Sequence, residues 1–397
     1  MEKHAFGFGE SRSPRTRTAT LFAAAALLIA ACGGSETAEP APAPTPAPTP
    51  ESPEAAPVEP FYQPGDLVEV IVPFSEGGGT DVLARTVLPF LGEELGGVNF
   101  VVINRPGGGS ITGVNEFART PADGYNMLFH SASSQIPGII QEVGVEWDFS
   151  QQTPVAGFPL GGVIVSKVDG VFQSAADFAS EERITYAGQA AAGGELRILL
   201  LFEMFGTNVN TVLGYGGSGA ARLAWEQGES DLAYETTPGY IANFLPQVEE
   251  GETRPLMTFG FVGEDGNLIP DPAHPDIPGP EVVYEEVFGR PITEAGDAYQ
   301  AYLALLAPTI SLNKSLVIHS DAPEQAIAEL RDAWSRLLER EDFMAAAESE
   351  LGGYPILIGD ELDAAWAQMI ATDIESAPMQ WLLNWVEERF EVNLRDR

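Results

Sequence analysis

Cysteine occurs once in the 397 residues, at Cys32. That excludes any internal disulfide and any cysteine-cluster metal site. Lysine occurs three times (Lys3, Lys167 and Lys314) and histidine four times, so imidazole chemistry has few candidates. No basic stretch follows the first residues, and the formal net charge is −38. A phosphate backbone recruits basic surfaces, so a nucleic-acid binder is excluded. No Gly-Lys-Ser/Thr follows any glycine-rich loop, which rules out a P-loop, and Gly107 to Gly113 does not fit the dinucleotide spacing. No repeat of fixed period is visible. The length is ample for a buried core and too long for one simple domain, so two lobes are expected. Abundant Asp and Glu with hardly any Lys suits either a saline habitat, where ions screen self-repulsion, or an ordinary acidic extracytoplasmic protein.

The longest early apolar run, residues 21–31, has the length of a signal peptide and is too short to span a bilayer. It ends Ile29-Ala30-Ala31-Cys32-Gly33, small residues before a lone cysteine, as in the lipobox of a bacterial lipoprotein. Residues 1–31 are therefore expected to be a leader, with Cys32 lipidated and the protein held extracytoplasmically at a membrane. No twin arginine is present, so general secretion is the simpler route. Residues 33–60 carry proline at nearly every second position over 40–50. Such a segment can neither pair in a sheet nor continue a helix, and it favours extended polyproline II. At ~3.1 Å per residue it reaches roughly 80 Å. A tether over 32–65 is expected.

From Asp66 onward the periodicity alternates between strand and helix. Leu67 to Val72 reads as a strand, followed by the loop Ser75-Glu76-Gly77-Gly78-Gly79-Thr80-Asp81 and a helix through Val82, Leu83, Val87, Leu88 and Leu91. A strand over 99–103, a short helix near 112–119 and a strand over 125–129 follow. Further on, the strand Ile184 to Tyr186 leads through Gly188-Gln189-Ala190-Ala191-Ala192-Gly193-Gly194 into an apolar helix, Leu196 to Phe205. The strand Val209 to Leu213 leads through Gly214-Tyr215-Gly216-Gly217-Ser218-Gly219 into a helix from Ala220. Such alternation predicts α/β units with parallel sheets. Ligands of open α/β sheets bind beyond the carboxyl ends of the strands, where loop N–H groups and helix N-termini favour an anion. Any one glycine-rich loop also serves simply to enter a helix.

Val72-Pro73-Phe74-Ser75-Glu76-Gly77-Gly78-Gly79-Thr80-Asp81-Val82-Leu83-Ala84-Arg85, then Val102 to Gly109 and Pro121-Ala122-Asp123-Gly124-Tyr125, closely resemble the substrate-binding proteins of tripartite tricarboxylate transporters, the Bug family. Weaker echoes continue through Ile184 to Gly188, Tyr215-Gly216-Gly217, Asp231-Leu232-Ala233 and Leu305 to Pro308, so the likeness covers roughly 67–370. The resemblance implies an α/β, two-lobed periplasmic-binding-protein (type II) fold with a ligand cleft between the lobes. Lobe 1 is expected over 66–164 and 261–397, lobe 2 over 165–260. It also implies capture of a small organic acid, a di- or tricarboxylate or an aromatic carboxylate, and its delivery to the membrane permease subunits. No cofactor or metal is implied, and a monomer is expected. Carried over residue by residue, the first-lobe half of the cleft comprises Phe74, Gly77, Gly78, Gly79, Thr80 and Asp81, with Ser131, Ala132 and Ser133 beyond the third strand. The second-lobe wall comprises Gly188, Gly193, Gly194, Tyr215, Glu235 and Thr236. Thr80 and Asp81 also suit helix capping.

The second loop departs from the family. Small hydroxyl residues followed by His-Leu are usual where this chain has Gly193-Gly194-Glu195-Leu196-Arg197. Arg197 either faces the cleft and neutralises a second carboxylate, or merely pairs locally or snorkels from an apolar helix, and Glu195 in the cleft would favour a cationic or hydroxylated group. Among other classes, Gly216 to Ala220 superficially resembles a nucleophile elbow around Ser218, with His274 and His319 as triad candidates. His274 reads as a surface-loop residue, His319 as part of a helix entry, and no separate oxyanion motif is visible. The sequence therefore points to a receptor that does no chemistry, a sensor without a transport role being the alternative and a serine esterase the remote one.

Overall fold

The computed structural model describes residues 59–263 and 265–395, so the leader, Cys32 and most of the tether lie outside the described residues. The strands are β1 (Leu67–Val72), β2 (Asn99–Asn104), β3 (Asn126–Ser131), β4 (Gln152–Phe158), β5 (Gly162–Lys167), β6 (Ile184–Gly188), β7 (Val209–Leu213), β8 (Leu232–Thr236), β9 (Thr253–Thr258), β10 (Phe261–Val262), β11 (Leu268–Ile269) and β12 (Lys314–His319). The helices are α1 (Gly79–Glu94), α2 (Ile111–Ala118), α3 (Ala132–Ile139), α4 (Leu196–Phe205), α5 (Ser218–Glu226), α6 (Thr237–Asn243), α7 (Leu245–Glu249), α8 (Pro280–Phe288), α9 (Asp297–Ile310), α10 (Glu324–Leu337), α11 (Glu341–Leu351), α12 (Gly359–Ile370) and α13 (Ala377–Phe390). Among the described residues no helix is long and apolar enough to cross a membrane.

Two five-stranded sheets, ordered β2-β1-β3-β12-β4 and β7-β6-β8-β5-β9, form the cores of two lobes. The first three strands of each order run parallel, but β12 is antiparallel to β3 and β4, and β5 is antiparallel to β8 and β9. The sheets are therefore mixed rather than all-parallel, because β5 and β12 enter their sheets directly from the other lobe. The periodicity could not register that reversal, which depends on where the chain arrives from.

Alternation along each strand supplies both faces of a sheet. In β1, Val68, Val70 and Val72 pack with α1, α10 and α11, while Ile71 packs on the opposite face with α2 and α12. The second sheet likewise buries Val163 and Val165 against Trp225 and Phe244, and Ile164 against the layer built on α4. That layer also contains α8, α9 and α13, so the segment 261–397, expected in lobe 1, is shared between the lobes. The physical reason is α4 itself: Leu196 to Phe202 is buried throughout, and so apolar a helix needs cover on every side. The change of sheet falls at residues 159–161, just before β5, rather than near 164. Packing also begins earlier than Asp66. Tyr62 is buried and its hydroxyl donates to the Gly124 carbonyl at 2.8 Å, with Phe61 stacked on Tyr125, so residues 61–65 belong to the folded body.

Candidate functional site

The carboxyl ends of β1, β3, β6 and β8 face one another across the two lobes. Beyond β1, the loop 75–78 turns into α1, and Gly77 takes a φ of +76°, a left-handed value that suits glycine. Asp81 is buried behind this loop. Its carboxylate accepts from the Gly77 N–H at 2.9 Å and from the Asn104 amide at 3.0 Å, and it pairs with Arg85 at 2.9 Å. Asp81 thus shapes the loop from behind and does not line the cavity in front of it. Beyond β3, Ser131 is the N-cap of α3, accepting from the Ser133 N–H at 3.2 Å, a helix that the sequence reading did not foresee.

The loops interlock. The Ser75 N–H donates to the Gly216 carbonyl at 3.0 Å, the Gly194 N–H to Ser133 Oγ at 3.1 Å, and the Asn243 amide to the Gly77 carbonyl at 3.1 Å. At the centre, Glu235 Oε2 accepts from the Gly79 N–H at 3.0 Å and from the Ser218 hydroxyl at 2.8 Å. A carboxylate from the second lobe therefore occupies the N-terminus of α1, where the helix favours negative charge. Close approach explains the glycines: a Cβ on Gly78 would lie 2.8 Å from Ser218 Oγ, and one on Gly79 would run into Thr236 Oγ1.

The lobes close over a cavity of about 20 Å³ lined by Phe74, Gly78, Thr80, Ser131, Ser133, Gln189, Arg197, Ser218, Tyr234, Thr236 and Lys314. Arg197 is 2% exposed, with its guanidinium 5.3 Å from the centre of the Phe259 ring. Among the described residues its Nε and Nη1 have no hydrogen-bond partner, and neither has the Gln189 side-chain nitrogen. Arg197 lines this cavity and forms no salt bridge among the described residues. Glu195 sits behind the lining, where Oε1 accepts from the Gln189 N–H at 3.1 Å and from the Tyr234 hydroxyl at 3.4 Å. Burial pushes the carboxyls of Glu195 and Glu235 up to about 7. Burial, aided by the nearby Arg197 charge, pushes the Lys314 ammonium down to about 7.

Of the expected site residues, Phe74, Gly78, Thr80, Ser131, Ser133, Arg197 and Thr236 line this cavity. Gly77, Gly79, Gly194 and Glu235 make the interlobe seam around it. Ala132 is buried, with its N–H donating to the Asn313 carbonyl at 2.8 Å. Gly188 closes β6 and Gly193, at φ +114°, turns the loop into α4, both outside the lining. Tyr215 is also outside it, its hydroxyl donating to Glu229 at 3.1 Å. Lys314, Gln189 and Tyr234 were missed as cavity residues, and Ser218 was singled out only as a nucleophile. The available signal for Lys314 was its rarity, together with its place at the head of a strand, Lys-Ser-Leu-Val-Ile-His, buried at every position. Among the described residues no serine–histidine pair forms at Ser218. His274 Nε2 lies 3.2 Å from Thr237 Oγ1, and His319 Nε2 lies 2.9 Å from Thr120 Oγ1.

No family model matches the chain. Protein BugT of Bordetella pertussis is 42% identical over 82 residues, which span 21% of this chain and a quarter (25%) of BugT. The fold matches the periplasmic binding protein BugD with a TM-score of 0.61 at 19% identity, covering 84% of this chain and 100% of BugD. The fold is that of a two-lobed α/β periplasmic binding protein. MatC from Rhodopseudomonas palustris, solved with bound malate, matches this chain with a TM-score of 0.59 at 20% identity, covering 82% of this chain and 100% of MatC.

Proposed function

We propose that this protein is an extracytoplasmic solute receptor of the Bug family. It captures a small organic acid between its lobes and hands it to the membrane permease of a tripartite tricarboxylate-type transporter. The observation that carries the reading is the interlobe cavity itself, where Arg197 and Gln189 hold unpartnered donors beside a ring of hydroxyls. Leaving buried donors unpaired costs free energy that an anion's oxygens recover, so the site is built for an acceptor-rich ligand. Malate in the cleft-bearing relative MatC accords with that chemistry. With Ser218 bonded to Glu235 and no histidine beside it, the reading is capture without chemistry.

Closure traps the ligand, since a cavity of about 20 Å³ admits little more than a water molecule. The lobes open to load, and a solute touching both stabilises the closed form. Lipidation of Cys32 and the proline-rich tether would keep the receptor, acting as a monomer, within reach of the permease. The test is thermal unfolding of the purified chain against organic acids, amino acids and sugars, at low and high salt. A ligand that binds only the native state raises the midpoint, by about 2.7 kcal/mol of stability at one hundred times its dissociation constant. Stabilisation by one or more organic acids is expected, and no shift with any acid at either salt refutes the reading.

A further inference from the structure

Lys314 belongs to the first lobe and Arg197 to the second, yet both side chains reach the same cavity. The register of β12 against β3 places Lys314 opposite Ser131, at the carboxyl end of the parallel strands, so a late strand contributes a cation to a cleft otherwise made of loops. The charged groups that act on its ammonium are Arg197, which repels it, and Glu235 and Glu195, which attract it. Neither carboxylate lines the cavity. Glu235 Oε2 is taken by Gly79 and Ser218, and Glu195 Oε1 by Gln189 and Tyr234. Among the described residues, Lys314 forms no salt bridge and its ammonium no hydrogen bond, although the residue is 4% exposed. Two cations held together with no carboxylate in direct contact are costly in a folded protein unless something else supplies the negative charge.

We propose that Lys314 and Arg197 form a two-lobe clamp for a compact dianion, and that Lys314 is the residue that demands the second negative charge. This rests on the acid-binding reading given above and narrows it. One anionic group of the ligand engages Arg197 and Gln189 on the second lobe, and the other engages Lys314 on the first. Closure then draws each cation onto a different end of the same molecule. Glu235 already fills the N-terminus of α1, so the ligand's second charge cannot be held by that helix and falls to Lys314. The hydroxyls of Thr80, Ser131, Ser133 and Thr236, whose protons are not given to a carboxylate, suit the remaining oxygens. A short dicarboxylate and a phosphono-carboxylate share this chemistry.

The experiment is calorimetric titration of the full chain, and of its Lys314→Met variant, with succinate, malate and phosphonoacetate. The monoanions butyrate and 3-hydroxybutyrate serve as partners that replace one carboxylate by methyl. Hydrogen bonds between charged groups correspond to about a 10- to 150-fold difference in affinity. The wild type is expected to prefer a dianion over its monoanion partner by a factor in that range. In Lys314→Met the preference falls to within about threefold, while monoanion binding is kept. The ligand-free variant unfolds no lower than wild type, because methionine fills the same space without a buried unpaired charge. Strongest binding of phosphonoacetate assigns the second group as a phosphonate, and strongest binding of succinate or malate assigns a dicarboxylate. If no acid binds the wild type, the acid-binding reading itself fails. If acids bind but butyrate matches succinate and 3-hydroxybutyrate matches malate, or if Lys314→Met keeps the preference or does not fold, the clamp is overturned.

Discussion

Gly79→Ala separates the stability of the first lobe from the closure of the cleft. Gly79 opens α1 with a backbone that is not left-handed, so alanine adopts the same conformation and, as a helix former, favours α1 by up to about 1 kcal/mol. Within the first lobe nothing obstructs the new methyl group. Across the seam it runs into Thr236 Oγ1 and lies 3.4 Å from Glu235 Oε2. Rotating Thr236 relieves the hydroxyl clash but leaves its Cβ at 3.3 Å, so the seam is pushed apart, which strains or breaks the 3.0 Å bond from the Gly79 N–H to the Glu235 carboxylate. Above about pH 7, where Glu235 is ionised, a charge-assisted bond of that kind contributes about 1.5–3 kcal/mol, so the closed form loses up to roughly 10- to 150-fold in population. Affinity for any ligand that requires closure falls by a comparable factor. Hydrogen exchange followed by mass spectrometry reads this directly, because Ser75, Gly79 and Gly194 donate across the seam. Peptides covering 74–82 and 190–197 are expected to exchange at least about tenfold faster in the variant. Peptides from β1 and α10 keep wild-type protection. Unchanged protection at the seam together with unchanged ligand affinity would refute the closed-cleft account.

The buried carboxyls set a pH dependence. Glu195 and Glu235 titrate near 7 in the folded chain against an ordinary value of 4.5, so the folded state holds more protons between those limits. Their stabilising contribution is complete below about 4.5 and is lost as pH rises through 7, on the order of a few kcal/mol for each. Glu235→Gln should therefore flatten the fall in unfolding midpoint between pH 5 and pH 8, and an unchanged slope would show that Glu235 is not the titrating group. Cys32→Ser should move the protein from the membrane fraction to the soluble fraction after cell breakage; retention in the membrane pellet would exclude the lipid anchor.

The chain's local structure was legible wherever neighbours in sequence decide it. The β-branched run Leu67 to Val72, the apolar stretch Leu196 to Phe205 and the strand Val209 to Leu213 occupy those same bounds in the fold. The reason is that strand and helix period depend on residues only a few positions apart. The glycine-rich loops 75–79 and 214–219 were legible too, because positive φ and close approach both call for glycine at the position itself. Periodicity failed for α4, which is apolar all round, so it gave no direction for Arg197.

The amino-acid sequence by itself determined the acidic composition, the single cysteine at position 32, the alternation of strand and helix, and the glycine-rich loops that follow the strands. Only the tertiary structure decided which charges meet there. Lys314 stands beside Ser131 because β12 enters the first sheet antiparallel to β3, after the chain has passed through the second lobe. Glu235 reaches Gly79 across 156 positions, and the two face each other only when the lobes close. Amphipathic patterns tell a segment that it must be covered, but not by which sheet, and so α8, α9 and α13 came to lie on the second lobe. Long-range register and lobe closure are set by the packing of whole layers, a quantity no local pattern records.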